Sequence, residues 1–264
     1  MKVGFIDERT RVVGACTHDR VSDGNIAVGF IGCGNMGQAM MKNIKVHSKS
    51  DGENNQGVID TCDIIFLTIK PQQYSEVLDE LKNTKGKIFV TVAPAITIDF
   101  VASKVGYNKI VRTMPNTPAL IGQGVTAVCY GKDITESEKS FIGKLLGSFG
   151  SSYEIKENQM DGIIALSGSS PALVYSLIDT MAKYGEQIGL DYQTAKEIVA
   201  KTFVGSANMI LQSDESPQVL IDRVCSKGGT TEKMIESLQK DNFKETIKNS
   251  MTACVKRANE MKLF

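Results

Sequence analysis

The chain has 264 residues, of which 42% are hydrophobic and 23% are charged. This composition is too apolar for a disordered chain and is typical of a globular protein with one or two domains. Thirty Lys and Arg residues balance thirty Asp and Glu residues, which argues against a nucleic-acid or anionic-membrane partner, because binding either one requires a basic surplus.

The longest apolar runs, such as residues 64–69, are far shorter than the roughly 20 residues that span a bilayer. The first residues, MKVGFIDERTR, lack the apolar stretch of a secretion signal. Six cysteines without a CxxC spacing, and only two histidines, predict free thiols and no metal site. We therefore expect a cytoplasmic protein without a membrane or nucleic-acid partner.

The first 25 residues form an atypical leader. Its segment 2–7 (KVGFID) nearly repeats segment 27–32 (AVGFIG), whereas residues 8–25 have little periodicity. An extension, an additional edge strand and an artefact of the gene model or of splicing are all compatible with this pattern.

Residues 26–158 alternate short apolar runs with helical patterns. Strands are predicted at 26–31, 63–69, 87–92, 109–113 and 124–130. Helices are predicted between them at 72–82, 97–104 and 135–147, and Thr135 with Glu138 forms a capping box at the start of the last one. Alternation of this kind predicts βαβ units in an α/β domain, with a mainly parallel, doubly wound sheet covered on both faces.

From residue 159 to 264 only helices are predicted, at 171–188, 191–212, 217–225, 230–240 and 242–262. Ser170 and Ser216 are each followed by proline, which is typical of an N-cap. The second helix is apolar on more than one face, and another flank consists of small residues. A helical half that must bury two faces predicts an all-α dimerisation domain, with a homodimer as the minimum unit and a higher oligomer of dimers as an alternative.

A glycine motif follows the strand at 26–31 and begins a helix, which is the context that a dinucleotide-binding turn requires. The first glycine permits the turn, the second lets a pyrophosphate approach, and the third lets the helix pack on the strand. Unpaired N–H groups at the helix start then hold the phosphates. The predicted cofactor residues of this motif are Gly32, Cys33, Gly34, Asn35, Met36 and Gly37.

The strand expected next, at 44–47, begins only seven residues after Gly37. Ser48 and Lys49 follow it, where an NAD enzyme usually places a carboxylate. A hydroxyl and a cation there favour the 2′-phosphate of NADP, with NAD as the alternative. A βαβ crossover needs about a dozen or more residues, so the first βαβ unit of this Rossmann-like domain is predicted to be abbreviated.

Lys70 with Pro71, Ala93, and Asn116 each follow a later predicted strand. Because functional residues of doubly wound sheets gather beyond the carboxyl ends of the strands, these residues are expected to face the cofactor. Rigid connections without a binding role are the alternative for such proline-containing loops.

Two polar loops, LSGSSPA at 166–172 and VCSKGGTT at 224–231, lead into helices. Each offers backbone N–H groups and hydroxyls to a carboxylate, although such a loop is more commonly only a helix cap. Ser167 is not a convincing hydrolase nucleophile, because the GxSxG motif is absent.

Together, these motifs resemble the pyrroline-5-carboxylate reductase family. They are GFIGCGNMGQA, the strand ending in KPQ, RTMPNTPALIGQGVTA, LSGSSPA and the loop SKGGTT, in the family's order over most of 26–262. The resemblance implies an oxidoreductase that reduces 1-pyrroline-5-carboxylate to L-proline with NADPH or NADH, the last step of proline synthesis. It also implies a substrate pocket at the interface of two interlocked helical domains.

The resemblance also assigns individual residues. Cofactor positions fall on the glycine motif, Ser48, Asn55, Lys70, Pro71 and Ala93, and Asn116 falls near the nicotinamide. Substrate positions fall on Glu157, Ser226, Gly229, Thr230 and Thr231. The Thr231 hydroxyl is the candidate catalytic group, as the hydrogen-bond partner of the developing amine.

Some residues depart from the family pattern. Lys227 replaces its usual proline, Ala95 a usual glycine and Ser170 a common glycine. Two other functions therefore stay open at this point. One is another NAD(P)-dependent imine or β-hydroxyacid reductase, for which Lys183 is the nearest candidate catalytic lysine. The other is a catalytically impaired nucleotide-binding relative.

Overall fold

The computed structural model describes residues 14–17, 26–32, 34–43 and 55–261. Its strands are β1 (Gly14–Thr17), β2 (Val28–Ile31), β3 (Ile64–Leu67), β4 (Ile88–Thr91), β5 (Ile110–Met114), β6 (Gly124–Tyr130) and β7 (Gly150–Glu154). Its helices are α1 (Asn35–Asn43), α2 (Asn55–Thr61), α3 (Tyr74–Glu80), α4 (Ile98–Val105), α5 (Glu136–Gly147), α6 (Met160–Ile163), α7 (Ser170–Gln187), α8 (Tyr192–Gln212), α9 (Pro217–Val224), α10 (Thr230–Lys240) and α11 (Phe243–Glu260). Shorter turns are the 3₁₀ helices Pro71–Gln73, Thr117–Ile121 and Glu157–Gln159, and the π-helical turn Ile164–Gly168.

The described strands form one seven-stranded sheet whose order, β1 to β7, follows the chain. Strands β2 to β5 are parallel, β6 is antiparallel to β5, and β7 is parallel to β6. The carboxyl ends of β2 to β5 therefore meet at one edge of the sheet. This arrangement confirms the predicted Rossmann-like α/β sheet followed by helices.

The leader contributes β1, which pairs antiparallel with β2 from Gly14–Ile31 to Thr17–Val28. Strand β3 pairs along the other side of β2, so both sides of β2 are occupied. In a complete Rossmann sheet the second strand of the first βαβ unit lies in the place that β1 takes here. The structure therefore agrees with one of the three explanations for the leader, an additional edge strand. The strand predicted at 44–47 lies outside the described residues.

Helices cover both faces of the sheet. On one face, the rings of Phe30 and Phe66 stack with centroids 4.9 Å apart, within a cluster that includes residues of α1 and α5. On the other face, Ile65 and Leu67 pack with residues of α2, α3 and α4. Because successive strand side chains point to opposite faces, the near-continuous apolar strands supply both layers.

The capping box is confirmed at the start of α5. Glu138 N donates to Thr135 Oγ1 at 3.3 Å, and Thr135 N donates to the Glu138 carboxylate at 2.8 Å. The sequence analysis missed β7, α2 and α6. Strand β7 has the polar sequence GSSYE and is largely exposed, so it carries no apolar run to reveal it.

The described residues fall into two compact units. One contains residues up to Ser169 together with 255–261, and the other is Ser170–Cys254. Within the second unit, a Cβ on Gly185 would lie 2.5 Å from the Cβ of Ala195, so α7 and α8 approach closely, as the small flank of α8 predicts. The domain boundary at residues 158–159 stays a prediction.

One helical stretch among the described residues, Glu157–Gln187, is long and apolar enough to cross a membrane by length and composition alone, with a mean hydropathy of 1.2. The sequence of this stretch contains no long apolar run, because its apolar residues are interspersed with small and uncharged polar ones.

Cys129 and Cys225 carry free thiols, as predicted, whereas Cys62 is disulfide-bonded, so the prediction of free thiols is wrong for Cys62. Burial raises the pKa of the Cys129 thiol to about 12. Cys129 is therefore protonated at neutral pH and unsuited to act as a nucleophile.

Candidate active site

The three glycines of the turn after β2 differ in their surroundings. Gly32 has φ of +100°, a conformation that favours glycine, and a Cβ there would lie 2.8 Å from the Thr68 carbonyl oxygen. A Cβ on Gly37 would lie 2.9 Å from the carbonyl oxygen of Gly32. Gly34 is exposed, and a Cβ there would meet nothing closer than 4.0 Å. The first and third glycines are thus required by packing and the second leaves open space, which fits a bound pyrophosphate.

The predicted cofactor residues from later strands reach the same edge of the sheet. Lys70 and Pro71 follow β3, Ala93 follows β4 and Asn116 follows β5. Lys70 is exposed, whereas Ala93 and Asn116 are buried. Asn35 and Met36 begin α1. Cys33, Ser48 and Lys49 lie outside the described residues.

Asn55 is the first residue of α2. Its Oδ1 atom is buried and has no hydrogen-bond partner in the described part of the chain. A buried acceptor without a donor is costly. This unmet acceptor is consistent with a ligand hydroxyl or amine donating to it, so Asn55, like the glycine turn, fits a dinucleotide.

Asn116 uses its side-chain amide within the protein. Its Oδ1 accepts from Val125 N at 2.8 Å, and its Nδ2 lies 3.2 Å from Ser167 Oγ and 3.4 Å from the Ser167 carbonyl oxygen. Asn116 therefore ties the loop after β5 to β6 and to the π-helical turn. Its predicted place near the nicotinamide stays a prediction.

Glu157 lies in the first compact unit and is engaged by buried groups there. Its Oε1 accepts from Ile98 N at 2.8 Å and from Arg112 at 3.2 Å, and Arg112 also contacts Asp161 at 3.4 Å. Arg112 is 1% exposed, so these carboxylates compensate the positive charge of a buried guanidinium. The sequence analysis missed Arg112, although an arginine within the apolar strand IVRTM is a signal for such a partner. The substrate-proximal role of Glu157 stays a prediction.

The predicted substrate loop, residues 226–231, connects α9 with α10 in the second unit. Gly228 has φ of +73°, and Gly229 N donates to the Ser226 carbonyl oxygen at 2.9 Å. A Cβ on Gly229 would lie 2.5 Å from Ser226 Oγ, so this tight turn requires glycine. The Glu232 carboxylate accepts from Gly228 N at 2.7 Å and stabilises the loop.

Thr230 and Thr231 are the first two residues of α10, and Gly229 is its N-cap. Backbone N–H groups in a first helical turn have no intrahelical acceptor, and the helix dipole favours an anion there. The loop thus brings together all the predicted substrate residues except Glu157, in an arrangement that suits a carboxylate.

Ala95 provides a test of strain in the loop after β4. Its φ is +69°, at the position where the resemblance expects glycine. A left-handed conformation costs an L-residue about 1–2 kcal/mol, and replacement by glycine removes this cost. Glycine loses more backbone entropy on folding than alanine does, which cancels about half of the gain. We expect Ala95→Gly to raise the free energy of unfolding by about 0.5–1 kcal/mol, measured by urea denaturation.

The matched control for Ala95 is Ala102→Gly within α4, where glycine lowers the free energy of unfolding by about 1 kcal/mol. A loss of stability in both variants would show that the conformation of Ala95 is not strained.

Residues 157–261 match the family model described as pyrroline-5-carboxylate reductase dimerisation. Residues 45–95 match the model described as NADP oxidoreductase coenzyme F420-dependent. The chain is 33% identical over 263 residues to pyrroline-5-carboxylate reductase 1 of Bacillus subtilis, covering 89% of each chain. It is 34% identical over 257 residues to pyrroline-5-carboxylate reductase of Aquifex aeolicus, covering 89% of this chain and 97% of that protein.

Solved structures agree with these relatives. The Plasmodium falciparum pyrroline carboxylate reductase with NADP bound has a TM-score of 0.83 and 31% identity, over 90% of this chain and 98% of that one. The Streptococcus pyogenes 1-pyrroline-5-carboxylate reductase has a TM-score of 0.82 and 30% identity, over 88% of this chain and 98% of that one. By sequence and by fold, this chain belongs to the pyrroline-5-carboxylate reductase family.

Proposed function

We propose that this protein reduces 1-pyrroline-5-carboxylate to L-proline with NADPH or NADH. The observation that carries the proposal is the glycine turn, closed around its first and third glycines and open at the second, in a chain of this family. The substrate loop at 226–231 supports it with a second set of anion-binding N–H groups.

Two groups of residues hold the two reactants. The glycine turn and the N-terminus of α1 hold the cofactor's pyrophosphate, and Asn55 Oδ1 accepts a hydrogen bond from a hydroxyl or amine group of the cofactor. The N–H groups of Thr230 and Thr231 bind the substrate carboxylate, and Lys70 and Pro71 line the edge of the sheet at the cofactor. When bound, the reduced nicotinamide supplies a hydride to the carbon of the imine bond.

The ring nitrogen takes up one proton from solvent as the hydride adds to the carbon, and so becomes an amine. This nitrogen needs an oriented hydrogen-bond partner. The Thr231 hydroxyl is that partner in our proposal. Most of the rate enhancement comes from placing two bound reactants in contact, an effect that is worth about 7–11 kcal/mol in well-oriented reactions.

The working protein in our proposal is a cytoplasmic homodimer. The second unit exposes many large apolar side chains, and the dimerisation model matches this part of the sequence. They include Tyr175, Tyr184, Ile198, Val204, Met209, Ile210 and Leu211. Burial against a second subunit explains why helix α7 is apolar and exposed in the single chain, and a membrane is not needed to cover it. Light scattering after size exclusion tests this assembly, and a monomer at micromolar concentration would contradict it.

The activity is tested by the loss of reduced-cofactor absorbance with pyrroline-5-carboxylate, using NADPH and NADH separately. Turnover with the imine supports the proposal. Dinucleotide binding without turnover would favour a catalytically impaired relative. This outcome is worth testing because β1 takes the place of a Rossmann strand beside β2. Turnover of β-hydroxyacids alone would favour the other class of reductase.

A further inference from the structure

Thr68, the residue after β3, lies against the glycine turn and is 9% exposed. Its hydroxyl donates to the carbonyl oxygen of Gly32 at 2.5 Å, and the same Oγ1 lies 3.3 Å from the carbonyl oxygen of Ile31. Its backbone N–H donates to the Ile31 carbonyl at 2.9 Å. Thr68 therefore bonds the last residue of β2 and the first glycine of the turn.

The same residue also meets the third glycine. A Cβ on Gly37 would lie 2.7 Å from Thr68 Oγ1, and a Cβ on Gly32 would lie 2.8 Å from the Thr68 carbonyl oxygen. The Thr68 side chain thus occupies the space between the turn and the first turn of α1. The Thr68 side chain leaves no room for a side chain at Gly37, and the Thr68 backbone carbonyl leaves none at Gly32.

We propose that Thr68 is a positioning residue for the dinucleotide, which rests on the proposed function. Gly32 has φ of +100° and is flanked by a second glycine two residues later, so this backbone has many alternative conformations. The bond from Thr68 to the Gly32 carbonyl holds one of them and so orients the N–H groups that receive the pyrophosphate. A turn ordered before binding binds more tightly, because the ligand does not have to order it.

The test substitutes Thr68 with valine, which keeps the branched shape and removes the hydroxyl. A methyl group neither donates to the Gly32 carbonyl nor fits at the 2.5 Å that separates the two oxygens. We expect the Kd for NADPH, measured by calorimetry without substrate, to rise roughly tenfold, as the loss of one buried hydrogen bond predicts.

Kinetics supply a second readout. The KM for NADPH is expected to rise with the Kd, while kcat at saturating NADPH and the KM for the imine stay within about twofold of wild type. Thr68→Ser keeps the hydroxyl and is expected to restore NADPH binding.

The matched control is Thr113→Val, since Thr113 in β5 is also buried and its hydroxyl donates to the Thr91 carbonyl at 2.7 Å, away from the turn. Thr113→Val is expected to lower stability without changing the Kd for NADPH. If Thr68→Val does not fold, Thr68→Ala removes the same hydroxyl without adding a methyl at that distance, and its Kd is expected to rise in the same way.

The outcomes separate the two proposals. A wild-type protein that binds neither NADPH nor NADH would overturn the proposed function, and if it binds only NADH, the Thr68 variants are measured with NADH. A wild-type protein that binds, with an unchanged Kd in the folded Thr68 variant, would overturn the role of Thr68 alone. An equal rise in Thr113→Val would also overturn it, because the effect would then come from general weakening of the sheet.

Discussion

Thr231→Ala is expected to lower kcat/KM for pyrroline-5-carboxylate by about 100-fold or more, the size of effect seen when an oriented hydrogen-bonding group is lost from the reacting atoms. The Tm should stay near that of wild type, because Gly229 and not Thr231 is the N-cap of α10. Steady-state kinetics at saturating NADPH and a thermal melt measure the two effects.

Thr231→Ser retains the hydroxyl and is expected to recover most of the activity. Thr246→Ala is a matched control, since Thr246 lies in α11 outside the loop and its hydroxyl donates to the carbonyl of Asn242, the residue before that helix. Near-normal turnover by Thr231→Ala would remove Thr231 from the catalytic role and leave the other residues of the loop as the binding site.

Arg112→Leu is expected to lower the free energy of unfolding by about 3 kcal/mol, the cost of removing one partner from a buried ion pair. The substitution removes the guanidinium that pairs with the carboxylates of Glu157 and Asp161, and the Asp161 side chain is only 14% exposed. Urea denaturation measures the change.

Lys104→Leu is the control for Arg112, because the Lys104–Asp79 pair, at 2.8 Å, is much more exposed. Removing an exposed pair costs about 0–1 kcal/mol. Equal losses in the two variants would show that the buried position of Arg112 adds nothing to stability.

Much of the fold is predictable because its signals are local. The apolar runs of β2 to β6 coincide with the predicted strands to within three residues at each end. The capping box at Thr135 and the proline after Ser216 place the starts of α5 and α9. Each signal acts over a few residues, since it depends on side-chain periodicity or on the first unpaired N–H groups of a helix.

Residues of the candidate site are less predictable. The glycine turn can be predicted from the sequence because each of its glycines has a known role within a short motif: the tight turn, the approach of the pyrophosphate or the packing of helix on strand. The contacts that hold the turn and the neighbouring loops join residues far apart in the chain: Thr68 with Gly32 across 36 residues, Arg112 with Glu157 across 45, and Asn116 with Ser167 across 51.

The sequence by itself determined the alternation of strands and helices, the dinucleotide turn and the helical second half of this protein. Only the tertiary structure decided that the leader supplies the strand beside β2, that Arg112 is compensated by two carboxylates and that Thr68 bonds the glycine turn. The physical reason is that periodicity and capping depend on neighbours in the chain. Strand partners and buried polar contacts instead depend on which distant groups packing brings within hydrogen-bond distance.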